Sequence, residues 1–138
     1  MKAINLNYEK YGSGEPIIIL HGLFGSSVNW KTVSEMVSSH FLVYTLDLRN
    51  HGESPHSEQF NYNVMTEDLK QFIQRHNLQK VIVLGHSLGG KTAMTFASTY
   101  PQMVDKLIIV DIAPRAYLSS LKGLIEFMMS VKLSQYNK

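Results

Sequence analysis

Three short runs of uninterrupted apolar residues punctuate the chain: Pro16-Ile17-Ile18-Ile19-Leu20, Val81-Ile82-Val83-Leu84 and Leu107-Ile108-Ile109-Val110. Runs without alternating polar residues belong to strands covered on both faces, as in a parallel sheet flanked by helices. Phe41-Leu42-Val43-Tyr44-Thr45-Leu46 is rich in β-formers and fits the same sheet. The segment from Ile4 to Tyr11 reads as a leading strand, antiparallel and near an edge. Helical spacing fills the intervals: Trp30, Val33 and Val37; Met65, Leu69, Phe72 and Ile73; Ala93, Phe96, Ala97 and Tyr100. Pro101 stops the last helix, because its ring cannot continue the backbone ladder. Strand alternating with helix predicts an α/β fold, a doubly wound and mostly parallel sheet with helices on both faces and right-handed crossovers.

Two regions break the rhythm. Asp47 to Asn61, with Asn50, Gly52, Pro55 and several serines, reads as a long loop. After Pro114 the spacing of Leu121, Leu124, Ile125 and Met128 predicts a helix over Ser119 to Val131, followed by the polar end Ser134-Gln135-Tyr136-Asn137-Lys138.

Composition narrows the classes. With 138 residues, 44% of them hydrophobic, the chain has the length of about one domain and enough apolar residues for a core. A net charge of +2, with scattered Lys and Arg, gives no footprint for nucleic acid. There is no cysteine, hence no disulfide, thiolate ligand or cysteine nucleophile. No signal-peptide run or membrane-length apolar stretch occurs in the sequence, so the expected compartment is cytoplasmic.

The chemistry-bearing pattern is Gly85-His86-Ser87-Leu88-Gly89, directly after a buried strand and directly before a helix with Gly90. A sharp strand-to-helix turn strains the serine backbone and needs small residues two positions either side, where chain and helix crowd. It displays the hydroxyl at the carboxyl edge of the sheet, over a helix N-terminus that favours negative charge. His21-Gly22-Leu23-Phe24-Gly25 follows the first central strand. Acyl transfer needs donors aimed at the oxyanion. The expected pair is the backbone N–H of Leu88 and that of Leu23, with Phe24 the next choice for the second donor or else a wall of the acyl pocket. His86 is expected beside the substrate, with its side chain pointing away from Ser87. His21 reads as a brace for its loop, and Asp68 and Asp105 as solvated residues.

Taken together, His21-Gly22, Arg49-Asn50-His51-Gly52-Glu53-Ser54-Pro55, Gly85-His86-Ser87-Leu88-Gly89-Gly90-Lys91 and Asp111-Ile112-Ala113-Pro114 resemble the α/β-hydrolase superfamily carboxylesterases. The set is particularly similar to small bacterial esterases and their mitochondrial relatives, over essentially the whole chain up to Arg115. The resemblance implies a Ser-His-Asp triad with Ser87 as nucleophile and Asp111, at the end of the run Leu107 to Val110, as the acid. It implies a small acyl ester or thioester as substrate, no metal and no cofactor.

The family's histidine lies near its C-terminus, and none of the six here matches it. His51 alone belongs to a loop that faces the active edge. The expectation is therefore that residues 1–115 are the N-terminal part of a hydrolase core, that 116–138 begin lid helices, and that the chain stops short of its base. Alone it is expected to turn over weakly or not at all. Two other readings stay open: a non-catalytic ligand-binding module of the same fold, and a serine-dependent lyase or cofactor-free peroxidase on the same scaffold. An incomplete sheet edge would also favour self-association.

Overall fold

A computed structural model describes residues 3–116 and 120–131. The elements are β1 (Tyr8–Tyr11), β2 (Glu15–Leu20), a 3-10 turn (Ser27–Trp30), α1 (Lys31–Val37), β3 (Phe41–Leu46), α2 (Tyr62–Arg75), β4 (Val81–His86), α3 (Leu88–Thr99), a 3-10 turn (Pro101–Met103), β5 (Val104–Val110) and α4 (Ser120–Ser130). The strands form one sheet in the order β1-β3-β2-β4-β5, with only β1 antiparallel.

Successive side chains of a strand point to opposite faces, and the apolar runs divide accordingly. Ile18 and Leu20 of β2 pack with Val81 and Val83 of β4, Leu69, Phe72 and Ile73 of α2, and Ala93 and Phe96 of α3. Ile17 and Ile19 face the other way, with Val43 and Ile82, beneath Trp30 and Val37. Helices on both faces are thus what let these strands be apolar throughout. Asn61 caps α2 by accepting the Val64 N–H at 3.0 Å, which ends the long loop where its polar composition ends. Tyr100, out of the helical region ahead of Pro101, closes α3.

Two expectations are corrected here. The leading strand is shorter than Ile4 to Tyr11. Residues before Tyr8 spend their backbone groups on side chains and loop, Ile4 N–H on Asp68 and Asn7 N–H on Ser54 Oγ, so no ladder extends over them. The run Leu107 to Val110 is not covered on both faces, since Leu107 and Ile108 are 40% and 42% exposed. β5 is the outermost strand of the described sheet, and α3 is the helix that packs on it.

The helix after Pro114 is present as α4, with Ile125, Phe127, Met128 and Met129 exposed. Ser119, the side chains of Leu121 and Leu124, and the polar end from Ser134 to Lys138 lie outside the described residues. Among the described residues no helix is long and apolar enough to cross a membrane.

Candidate active site

The chain leaves β2 toward β3 on one side and then crosses over to β4 on the other. Where a parallel sheet reverses its winding in this way, the loops at the carboxyl ends of the two neighbouring strands part and leave a crevice. Leu20 pairs with Gly85, so His21-Gly22 and His86-Ser87 leave the sheet side by side. A Cβ placed on Gly22 would lie 2.8 Å from His86 Nδ1 and 3.4 Å from Ser87 Cβ. Gly22 is what lets the two loops touch.

Ser87 has φ 52° and ψ −111°, a conformation L-residues rarely adopt, at the step from β4 into α3. The glycines around it are required by contact. A Cβ on Gly85 would meet Gly89 O at 2.4 Å, one on Gly89 would meet Leu20 O at 2.4 Å, and one on Gly90 would meet Ile112 Cγ2 at 2.5 Å. The elbow is tied to its neighbours by Gly89 N–H to His21 O (3.1 Å) and Ser87 N–H to Val110 O (3.3 Å). Leu88 opens α3, so its N–H has no acceptor within its own helix. Among the described residues no histidine nitrogen bonds to the Ser87 hydroxyl.

The turn Gly22-Leu23-Phe24-Gly25 closes through Gly25 N–H to Gly22 O at 3.0 Å, with Phe24 left-handed at φ 62°. His21 fixes the same carbonyl. Its Nε2 accepts the Leu48 N–H at 3.0 Å, so the proton sits on Nδ1, which donates to Gly22 O at 2.7 Å. The imidazole is therefore neutral with both nitrogens engaged, as a brace requires. Burial pushes its pKa down, as does the neighbouring His51, against the raising influence of the Gly22 carbonyl and of Asp47. Two donors hold the Gly22 carbonyl toward the loop interior, and the trans peptide then turns the Leu23 N–H outward.

The loop after β3 is an ordered scaffold. Arg49 is fully buried and pairs with Asp68 through Nε (2.6 Å) and Nη2 (2.8 Å), while Nη1 donates to Gln59 O at 2.6 Å. This corrects the reading of Asp68 as solvated: it lies 1% exposed on the inner face of α2, and its Oδ1 also accepts the Ile4 N–H at 2.7 Å. Asp105, by contrast, is solvent-facing beside Lys106. Asp47, at the head of the loop, accepts from the Ser27 N–H (2.6 Å), the Asn7 amide (2.9 Å) and the Glu53 N–H (3.0 Å). Burial raises its pKa, but these hydrogen bonds together outweigh that and hold it below the usual value. Gly52, at φ 52°, allows the approach, since a Cβ there would lie 2.3 Å from the Asp47 carboxylate.

Asp111 follows β5 on the same edge as Ser87, exposed and at φ 53°. The strand pairing that bonds Ser87 N–H to Val110 O brings its backbone next to the elbow. Ile112 crosses over Gly90, and Lys91 Nζ donates to Arg115 O at 2.5 Å, which explains the Gly-Gly-Lys after the elbow.

Two clefts open on this edge. One, of about 460 Å³, is walled by Trp30, Val33, Val110 and His86; the other, of about 410 Å³, by Asn50, His51, Gly52 and Phe60. Leu23, Phe24 and Gly25 line both. Phe24 and His86 both line the first cleft. Among the described residues no side chain of α4 lines either cleft, and Trp30, Val33 and Val110 form the apolar wall of the first.

Sequence reasoning did not find the role of Trp30 or Phe60, nor the backbone strain after every parallel strand. Phe24, Asn50, Ser87 and Asp111 all have positive φ, just beyond β2, β3, β4 and β5 in turn. Only the serine had a motif to announce it.

The chain is similar to known proteins. Over 117 residues the chain is 44% identical to a Haemophilus influenzae protein provisionally named an esterase/lipase, covering 81% of this chain and 41% of that protein. It is 41% identical over 124 residues to ethanol acetyltransferase 1 of Cyberlindnera fabianii, covering 86% of this chain and 37% of the relative. A solved marine microorganism esterase superposes with a TM-score of 0.90 at 43% identity, over 99% of this chain and 55% of that one. The chain thus spans about two fifths of the length of these curated relatives. A family model described as alpha/beta hydrolase fold matches residues 15–134, and the chain belongs to that family.

Proposed function

We propose that this chain carries the nucleophile and the oxyanion donors of a serine carboxylesterase that acts on small to medium acyl esters or thioesters. The observation that carries the reading is the Ser87 backbone, strained at φ 52° between β4 and α3 with the His21-Gly22 turn against it. Such strain is stored where a side chain must be held out for chemistry. In the reaction a base removes the Ser87 hydroxyl proton as Oγ attacks the ester carbonyl carbon. The carbonyl oxygen, now an oxyanion, takes the Leu23 and Leu88 N–H groups. The base returns the proton to the departing alkoxide, leaving an acyl group on Ser87, and water then attacks the acyl carbon by the same route. Asp111 orients the imidazole that serves as base. Among the described residues no histidine hydrogen-bonds to Ser87, and His21 is spent on its loop, which supports a base supplied by a histidine outside the six.

Phe24 and His86 contact the substrate, and the cleft bounded by Trp30, Val33 and Val110 suits an acyl chain. The likeness to ethanol acetyltransferase 1 supports a second way of emptying the acyl-enzyme, by an alcohol in place of water.

The test uses a fluorophosphonate probe and a chromogenic acyl ester on the 138-residue chain and on a form extended to the length of its esterase relatives. Turnover in the extended form that disappears in Ser87→Ala, with little in the short form, is the expected result. Equal turnover in both forms would make a histidine of this chain the base. No labelling or turnover in either would favour a non-catalytic binding module.

A further inference from the structure

An ester held by its carbonyl oxygen sends two arms away from the reacting carbon, the acyl chain and the alcohol portion. The edge described above offers two clefts, and the turn carrying the Leu23 N–H is the wall between them. Their chemistry differs. The first presents the indole of Trp30 and the side chains of Val33 and Val110. The second presents the rings of Phe24 and Phe60, 57% and 41% exposed, together with the polar loop Asn50-His51-Gly52.

Within that loop most polar groups are already committed. The Asn50 side chain donates to Ser57 O at 3.0 Å and accepts the Ser57 N–H at 2.7 Å. His51 Nδ1 lies 2.9 Å from Arg49 O, and because a carbonyl only accepts, Nδ1 carries the proton. In the tautomer with that single proton Nε2 is an acceptor, and no group among the described residues donates to it. The ring cannot swing away. It lies 5.0 Å from the His21 ring and 6.0 Å from Phe60, and its own backbone is fixed by His51 N–H to Leu48 O and Ser54 N–H to His51 O. A preset acceptor in a cleft that Phe24 and Phe60 also line suits a hydroxyl carried on a short apolar stem.

Resting on the esterase reading, we propose that the second cleft is the subsite for the alcohol portion of the substrate, and that this portion carries a second, unesterified hydroxyl that donates to His51 Nε2. The preferred substrate class is the monoester of a diol or polyol, with its acyl chain in the Trp30 cleft. His51 is a specificity-determining residue here and takes no part in proton transfer to or from Ser87.

The test compares 3-hydroxypropyl butyrate with butyl butyrate, which has the same shape but no donor. Trp30 is the only tryptophan, so its fluorescence reports occupancy of the acyl cleft in either case. One added hydrogen bond of ordinary strength corresponds to roughly five- to tenfold tighter binding of the hydroxy ester. His51→Asn keeps an N–H for Arg49 O, but its own acceptor, Oδ1, falls short of the Nε2 position, so the preference should fall to about one while both esters still alter Trp30 emission. In the unmutated protein, ring-nitrogen NMR of labelled histidine should show the His51 Nε2 signal moving with the hydroxy ester alone, a readout that holds even if the variant fails to fold. Equal affinities, or an unmoved Nε2 signal, would overturn the subsite and leave the esterase reading standing. If neither ester perturbs Trp30 and the fluorophosphonate leaves Ser87 unlabelled, both fall together.

Discussion

Asp68→Asn is the sharpest test of what holds the active edge in place. The side chain keeps its size, but the carboxylate now serving three donors, Arg49 Nε, Arg49 Nη2 and the Ile4 N–H, becomes an amide with one oxygen. The guanidinium stays, at 0% exposure, with only Gln59 O as a proper partner. Breaking a buried pair by removing one charge costs about 3–5 kcal/mol, because the other charge is left without water or counter-charge. Against a typical total of about 5–15 kcal/mol that is a large share. For a chain of this size it corresponds to a fall in Tm of roughly 10–20 °C. Urea unfolding followed by far-UV circular dichroism measures it. Arg49→Met combined with Asp68→Leu removes both charges and should recover much of the loss, since buried pairs replaced by apolar residues are often neutral in stability. Asp105→Asn, at a solvent-exposed pair, should leave the midpoint where it is. A loss below about 1 kcal/mol for Asp68→Asn, or a double variant worse than the single one, would refute the reasoning.

Gly52→Ala places a Cβ against the Asp47 carboxylate at a φ of 52°; it should cost about 1–3 kcal/mol and broaden the His51 ring signals, read by urea unfolding and NMR. Phe24→Gly relieves a left-handed phenylalanine and should raise stability by about 1 kcal/mol while merging the two clefts, so that unfolding improves and discrimination between acyl chains declines. Stability should fall as pH drops below about 6.5, because burial keeps His21 less protonated in the folded state than in the unfolded one; the unfolded chain then gains the extra proton. His76, lowered by burial and by Lys10, has the same sign, so His21→Gln should reduce that slope without removing it, as measured by urea titrations at several pH values. Asp47 adds a later decline, below its ordinary value of 3.8, as its hydrogen-bonded carboxylate is protonated.

How far the fold can be read from sequence depends on whether a residue's partner is near it in the chain or marked by type. The apolar runs of β2 and β4 are covered on both faces and declare themselves without context. The run in β5 looks the same, yet Leu107 and Ile108 lie on an outer strand, and nothing local distinguishes the two situations. The elbow was legible because its glycines are forced by contacts within a few residues or at a neighbouring strand end. Asp68 was not. A carboxylate in an amphipathic helix is ordinarily solvated, and the reason this one is buried sits 19 residues away, in the arginine of a loop motif. Trp30 and Phe60 reach the clefts only through the sheet's winding, and no spacing encodes that.

The Arg49 loop motif then has a physical explanation distinct from catalysis. Four non-glycine residues stand in left-handed backbone at consecutive strand ends along this edge, each costing about 1–2 kcal/mol. Strain of that kind persists only where the surroundings over-determine it. The over-determination is visible: Asn50 is held by both atoms of its amide to Ser57, Phe24 by the doubly bonded Gly22 carbonyl, and Ser87 by bonds from its flanks to β2 and β5. Arg49 and Asp47 anchor the polar side of this frame, one to α2 and one to the turn after β2. The buried ion pair therefore serves to pin a loop that has no ladder of its own. Its loss should be felt first at His51 and Phe60, where the second cleft would lose its shape before the sheet beneath it unfolds.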